Sequence, residues 1–116
     1  IVASKLKFDA AVDCWGGRVV MNPPDINERM PVAPIDMTND LNAPLLGIFG
    51  LDDMSPSPEE VDQHETVLKA AGKTHEFHRY EGAGHSFFAV DRPSYRSEQA
   101  TDAWRKVFAW YDKHLS

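Results

Sequence analysis

The chain has 116 residues, enough for one small domain with its own core, and its 42% hydrophobic and 26% charged content is ordinary for a globular protein. A formal net charge of −6 argues against nucleic acid and against anionic membrane surfaces as partners. No apolar run approaches the roughly 18 residues of a membrane span, and a single cysteine, Cys14, leaves no intrachain disulfide and fits a reducing, cytoplasmic compartment.

In chain order, the opening IVASKLKFDA lacks the apolar stretch and cleavage site of a secretory signal. It also lacks an initiator Met, as expected of a fragment or a processed chain. DAAVDCW, residues 9–15, is a short apolar run ended by Gly16 and Gly17 and predicts a buried parallel strand. Residues 22–43 carry Pro23, Pro24, Pro31 and Pro34 among asparagines, which predicts a surface excursion rather than a long helix. PLLGIFG, 44–50, predicts a second buried strand. The next segment holds nearly every helix signal: Ser57 as N-cap, Pro58 in the first turn, Glu60 to complete a capping box, and Gly72 as C-cap. Val61, Leu68 and Ala71 form its apolar stripe. THEFHRY, 74–80, predicts a third strand. A last helix is expected from about Ser94, with Ala100, Trp104, Val107, Phe108, Tyr111 and Leu115 on one face, the aromatics as core. The order strand, excursion, strand, helix, strand, helix predicts an α/β fold with a parallel sheet and packed helices.

In such sheets chemistry gathers at the carboxyl ends of the strands. Asp52 and Asp53 stand just after the second strand, and His85 stands five residues after the third. Adjacent parallel strands would bring the two loops together. A carboxylate beside an imidazole fixes its tautomer and stabilises the imidazolium, which is the acid's role in a nucleophile–His–Asp triad. Gly82 and Gly84 let the loop turn sharply and leave His85 over the strand ends. The residues alone equally allow a bland reading, in which the aspartates cap a loop and His85 is a surface residue.

From Pro44 to Ser116 the chain resembles the carboxyl-terminal part of the dienelactone hydrolase family, a branch of the α/β-hydrolases. PLLGIFGLDD, PSPEEV, EFHRYEGAGHSFF and the closing amphipathic helix carry the resemblance. DAAVDCWGG resembles the strand that precedes them. The resemblance implies that residues 1–116 form one partial domain of that fold, with parallel strands, flanking helices and the amino-terminal half missing. It implies that His85 is the triad base and that Asp53, in the spacing Gly50-x-x-Asp, is the acid, with Asp52 as runner-up. Asp53 and His85 should then lie within hydrogen-bond reach.

The family nucleophile is a cysteine, or a serine in relatives, inside a Gly-x-Cys-x-Gly-Gly elbow. VDCWGG, 12–17, invites that match but does not meet it: Val12 stands where the tight turn needs glycine, and Pro23 and Pro24 leave no room for the helix an elbow must open. Only the proline-rich segment separates Cys14 from the acid. Cys14 therefore reads as a strand cysteine acting as a small hydrophobe, and the nucleophile is expected outside this chain.

Other candidates are weaker. His75 and His78 lie three apart on a strand and face opposite sides, so no metal site is expected and no cofactor is implied. Phe87 and Phe88 fit either a pocket lining or core packing. Arg92 and Arg96 could bind a substrate carboxylate, with solvated surface as the default. The family's arginine four residues after the histidine is Ala89 here, which counts against a dienelactone-like substrate. Two functions stand. One is a hydrolase of small-molecule esters or lactones acting through an acyl-enzyme. The other is a non-catalytic half-domain that forms a homodimer or pairs with a missing amino-terminal half.

Overall fold

Three parallel strands in the order β1-β2-β3 form the sheet, in a computed structural model that describes all residues, 1–116. A single helical turn, α1 (Val2–Lys5), precedes β1 (Ala11–Cys14). The excursion predicted for 22–43 holds two 3-10 segments, Pro23–Asp25 and Pro34–Asp40. Then come β2 (Leu45–Gly50), α2 (Pro58–Ala70), β3 (His75–Tyr80) and α3 (Ser97–Leu115). No helix is long and apolar enough to cross a membrane.

β2 is central and every one of its residues is buried. Its alternating side chains serve two faces. Leu46 and Ile48 join Phe87, Ala100, Ala103, Val107 and Trp110 in a cluster under α3. On the other face Phe49 meets Phe77, whose ring meets His64 of α2. Full burial of Leu46 and Ile48 stabilises the fold by roughly 1.5–3 kcal/mol each.

β1 departs from expectation. It is parallel to β2 as predicted, but it is shorter than 9–15 and all four residues are only half-buried. An apolar run predicts cover on both faces. Here β1 is an edge strand, paired on one side only. Beside it opens a cleft of about 550 Å³, lined by Val2, Phe8, Val12, Leu45, His64 and Leu68 among others.

The α2 signals act as read. Ser57 Oγ accepts from the Glu60 N–H and Glu60 Oε2 accepts from the Ser57 N–H, both at 3.3 Å. At the other end Gly72 N–H donates to Lys69 O and Lys73 N–H to Leu68 O, the paired bonds of a Schellman cap. Arg79 of β3 ties the helix down by donating to Asp62 and Glu65.

α3 differs in two ways. It starts at Ser97 rather than near Ser94, because Arg96 N–H is drawn to Phe87 O at 3.1 Å and residues 92–95 form turns. Its core face is Ala100, Ala103, Val107 and Trp110. Of the aromatics expected in the core, Trp104 and Phe108 are exposed and Tyr111 is half-buried, and Leu115 of the same face is exposed. Two alanines let the helix lie close to the sheet. The rings of Trp104 and Phe108 turn outward, where Trp104 stacks between Phe88 and Phe108.

Candidate active site

The pairing of β2 with β3 carries both loops to one end of the sheet, since Gly50 is in register with Tyr80 and both strands run the same way. Leu51 N–H donates to Tyr80 O and Asp52 N–H donates to Ala83 O, so the loops are laced together by backbone bonds. Two glycines make this contact possible. Gly82 has φ +67°, a left-handed turn that side chains resist, and a Cβ at Gly50 would lie 2.1 Å from Ala83 O.

On this frame His85 Nδ1 lies 2.9 Å from Asp53 Oδ2. Asp53 is buried, and its other oxygen, Oδ1, accepts from the Ser55 N–H at 2.9 Å. A carboxylate only accepts hydrogen bonds, so Nδ1 carries the imidazole proton and Nε2 keeps a lone pair. The His85 side chain is 52% exposed while that of Asp53 is 3% exposed, so the carboxylate is enclosed and the imidazole faces outward. Asp52 is exposed and its carboxylate has no part in the pair.

An open depression of about 660 Å³ surrounds His85, lined by Trp15, Gly17, Arg18, Asp52, Met54 and Ser55 with the pair itself. Cys14 is not among these residues. It is half-buried on β1, and burial, followed by the charge of neighbouring Asp13, pushes its thiol up to about 11. Such a thiol is overwhelmingly protonated at neutral pH and is a poor nucleophile. Burial likewise raises Asp13 above the usual carboxylate range, partly offset by a hydrogen bond from Gly16.

The remaining candidates sort by contact. Phe87 is fully buried core, and Phe88 is half-buried against Trp15 and Trp104. Arg96, read as solvated surface, directs its guanidinium to backbone oxygens of Gly82, Pro93 and Tyr95. It braces the turn that leads to His85. Gln99 adds a bond to Glu81 O. His75 and His78 do face opposite ways: His75 lies near Glu65 and Phe77, while His78 pairs with Glu76. Residues that sequence reasoning passed over are Trp15 and Ser55. Gly50 enters that reasoning for its spacing to Asp53 and not for the close approach of Ala83.

Parallel strands with α3 on one face and α2 on the other, ending in an acid loop beside a histidine loop, define an α/β-hydrolase-type fold. Comparison with known proteins makes the assignment specific. The sequence profile of the dienelactone hydrolase family matches residues 1–115, and the chain belongs to that family. A Methylorubrum extorquens protein named "Putative carboxymethylenebutenolidase" is 36% identical over 119 residues, covering 87% of this chain and 41% of that protein. An Escherichia coli protein of the same name is 34% identical, covering 87% of this chain and 44% of its own length. The crystal structure of a "Putative Dienelactone Hydrolase" from Klebsiella pneumoniae superposes with a TM-score of 0.75 at 33% identity, over 88% of this chain and 50% of that one. A puromycin-hydrolyzing peptidase from Mycobacterium tuberculosis shares the fold at 15% identity and a TM-score of 0.78, over 98% of this chain and 20% of that one. The chain thus spans less than half the length of the curated relatives it matches.

Proposed function

We propose that Asp53 and His85 are the acid and base of a nucleophile–His–Asp triad that cleaves a small-molecule ester or lactone, with the nucleophile supplied from outside residues 1–116. The observation that carries this reading is the 2.9 Å bond between a buried carboxylate and an imidazole whose far nitrogen is open to the depression. The name shared by the relatives denotes cleavage of a butenolide, a cyclic ester, and is in keeping with it.

In this mechanism the nucleophile attacks the carbonyl carbon and its proton passes to Nε2 of His85. The leaving alkoxide takes that proton as the tetrahedral intermediate collapses to an acyl-enzyme. Water then attacks the acyl group, again giving its proton to Nε2, and the restored nucleophile recovers it as the carboxylic acid leaves. Throughout, Asp53 accepts from Nδ1–H and holds the ring in the tautomer that leaves Nε2 free.

The test joins this chain to the amino-terminal part of the Escherichia coli relative, in place of that protein's own matching segment. The hybrid should hydrolyse aryl esters, and His85→Ala should reduce kcat by about 10³-fold or more. Full activity in the His85→Ala hybrid would sink the reading.

One observation favours a second reading, a half-domain that self-associates without catalysis. The outer edge of β1 is unpaired, and Trp104 and Phe108 are exposed on α3. Open edges and apolar patches invite another chain. Light scattering at tens of micromolar separates the two, since a monodisperse monomer excludes it.

A further inference from the structure

Trp15 sits one residue past β1 with φ +56°, a backbone region that a bulky side chain enters only under strain. The residue keeps one ladder bond, its N–H donating to Ile48 O at 3.0 Å. The turn throws its indole across the end of the sheet, edge-on to Phe87 at 5.5 Å and to Phe88 at 4.7 Å, with the His85 ring at 6.3 Å. Its Nε1–H is buried without any acceptor. Two costs therefore meet at one position: a disfavoured dihedral angle and an unpaired buried donor. Across the aromatic contact lies a second non-glycine left-handed residue, Ser86 at φ +60°, between His85 and Phe87. Strain gathered on both sides of one histidine points to a role at that histidine.

His85 has a single side-chain hydrogen bond, to Asp53, and half of its side chain is open to solvent. One bond leaves the ring free to swing about its own axis and lose the acid. The indole, its centroid 6.3 Å from the imidazole and itself backed by Phe88, is the ring packed beside it. We infer that Trp15 is a positioning residue that holds the His85 imidazole against Asp53, so that Nδ1 stays protonated and Nε2 faces the depression. The inference rests on His85 acting as the base, but it concerns geometry in the free chain and does not need turnover.

Long-range proton–nitrogen NMR of the 116-residue chain reads the tautomer of His85 directly. Three chains are compared: unsubstituted, Trp15→Gly and Trp15→Phe. Glycine accepts φ +56° without strain, so Trp15→Gly removes the ring and spares the backbone. The expected result is the Nδ1–H form in the unsubstituted chain and in Trp15→Phe, and its loss to the Nε2–H form in Trp15→Gly. A purely structural tryptophan would leave the tautomer unchanged wherever the chain folds. Retention of Nδ1–H in both variants, or loss in both, overturns the inference while the Asp53–His85 pair stands. An Nε2–H signal already in the unsubstituted chain overturns the pair and the inference together. Should Trp15→Gly not fold, Trp15→Leu, which keeps bulk but lacks a flat ring, replaces it with the same outcomes.

Discussion

Gly50 and Ala83 touch through their backbones, with no room for a side chain between them. A Cβ on residue 50 would sit 2.1 Å from the Ala83 carbonyl oxygen, and that same oxygen accepts from the Asp52 N–H at 3.0 Å. Gly50→Ala must therefore push the two loops apart rather than displace a flexible side chain. We expect a loss of about 2 kcal/mol or more in urea unfolding, at the upper end of what overpacking costs. A loss below about 0.5 kcal/mol would show that the loops are not held this tightly.

The two neighbouring aspartates should behave differently. Asp53 is buried and accepts from both Ser55 and His85, whereas Asp52 is exposed. Asp53→Ala removes the charged acceptor of the part-buried Ser55 N–H and of His85, costing roughly 1.5–3 kcal/mol, while Asp52→Ala should stay within about 0.5 kcal/mol. Equal costs in parallel denaturant melts would overturn the assignment of Asp53 as the fixed acid.

Acid should weaken the fold through His64. Burial, then the charges of His75 and the amino terminus, lower His64 from 6.5 to about 4. The folded chain resists a proton that the unfolded chain takes up, so this contribution is complete above the unfolded value. It is lost as pH falls from there toward about 4. The expected loss attributable to His64 is on the order of 3 kcal/mol across that window. His64→Phe should flatten the slope, as seen in thermal melts at stepped pH. An unchanged slope would mean that His64 is protonated without penalty.

The two faces of α3 should respond in opposite ways. Trp110 is buried and Phe108 is 62% exposed. Trp110→Ala should cost about 3–5 kcal/mol, whereas Phe108→Ala should cost under about 0.5 kcal/mol. The reverse order in circular-dichroism melts would restore Phe108 to the core.

Cys14 should be slow to alkylate. With its thiol pushed up to about 11, iodoacetamide at neutral pH should label the folded chain far more slowly than the urea-unfolded one. Equal rates would identify Cys14 as a reactive thiol.

The sequence reveals most where the physics is local. Ser57, Glu60 and Gly72 mark both ends of α2 because each satisfies a backbone group within one turn of itself, and Pro58 because it has no N–H to satisfy. The alternation of strands and helices implies parallel pairing, and parallel pairing puts the residue after β2 beside the loop after β3. The nearness of the Asp52–Asp53 loop to His85 is legible for that reason, while the choice of Asp53 over Asp52 rests on the family resemblance. What depends on distant cover is not. The run 9–15 is apolar whether or not a strand lies on its far side, so nothing in it reveals an edge. Residue size misleads on α3, where Ala100 and Ala103 take the tight contact and Trp104 is left outside. Trp15 and Ser86 adopt left-handed backbone without the glycine or asparagine that would announce it.

The brace from Arg96 to Gly82 has a consequence for biosynthesis. The histidine loop is anchored at its base by a residue at the threshold of α3, and Phe87 is covered by that helix. Asp53 leaves the ribosome 32 residues before His85, and the backbone bonds that lace their loops need no residue of α3. The cover over Phe87, next but one to His85, comes only with that helix. A nascent chain stalled before Ser97 would therefore carry the pair and the Arg96 brace on a loop still open on its α3 side.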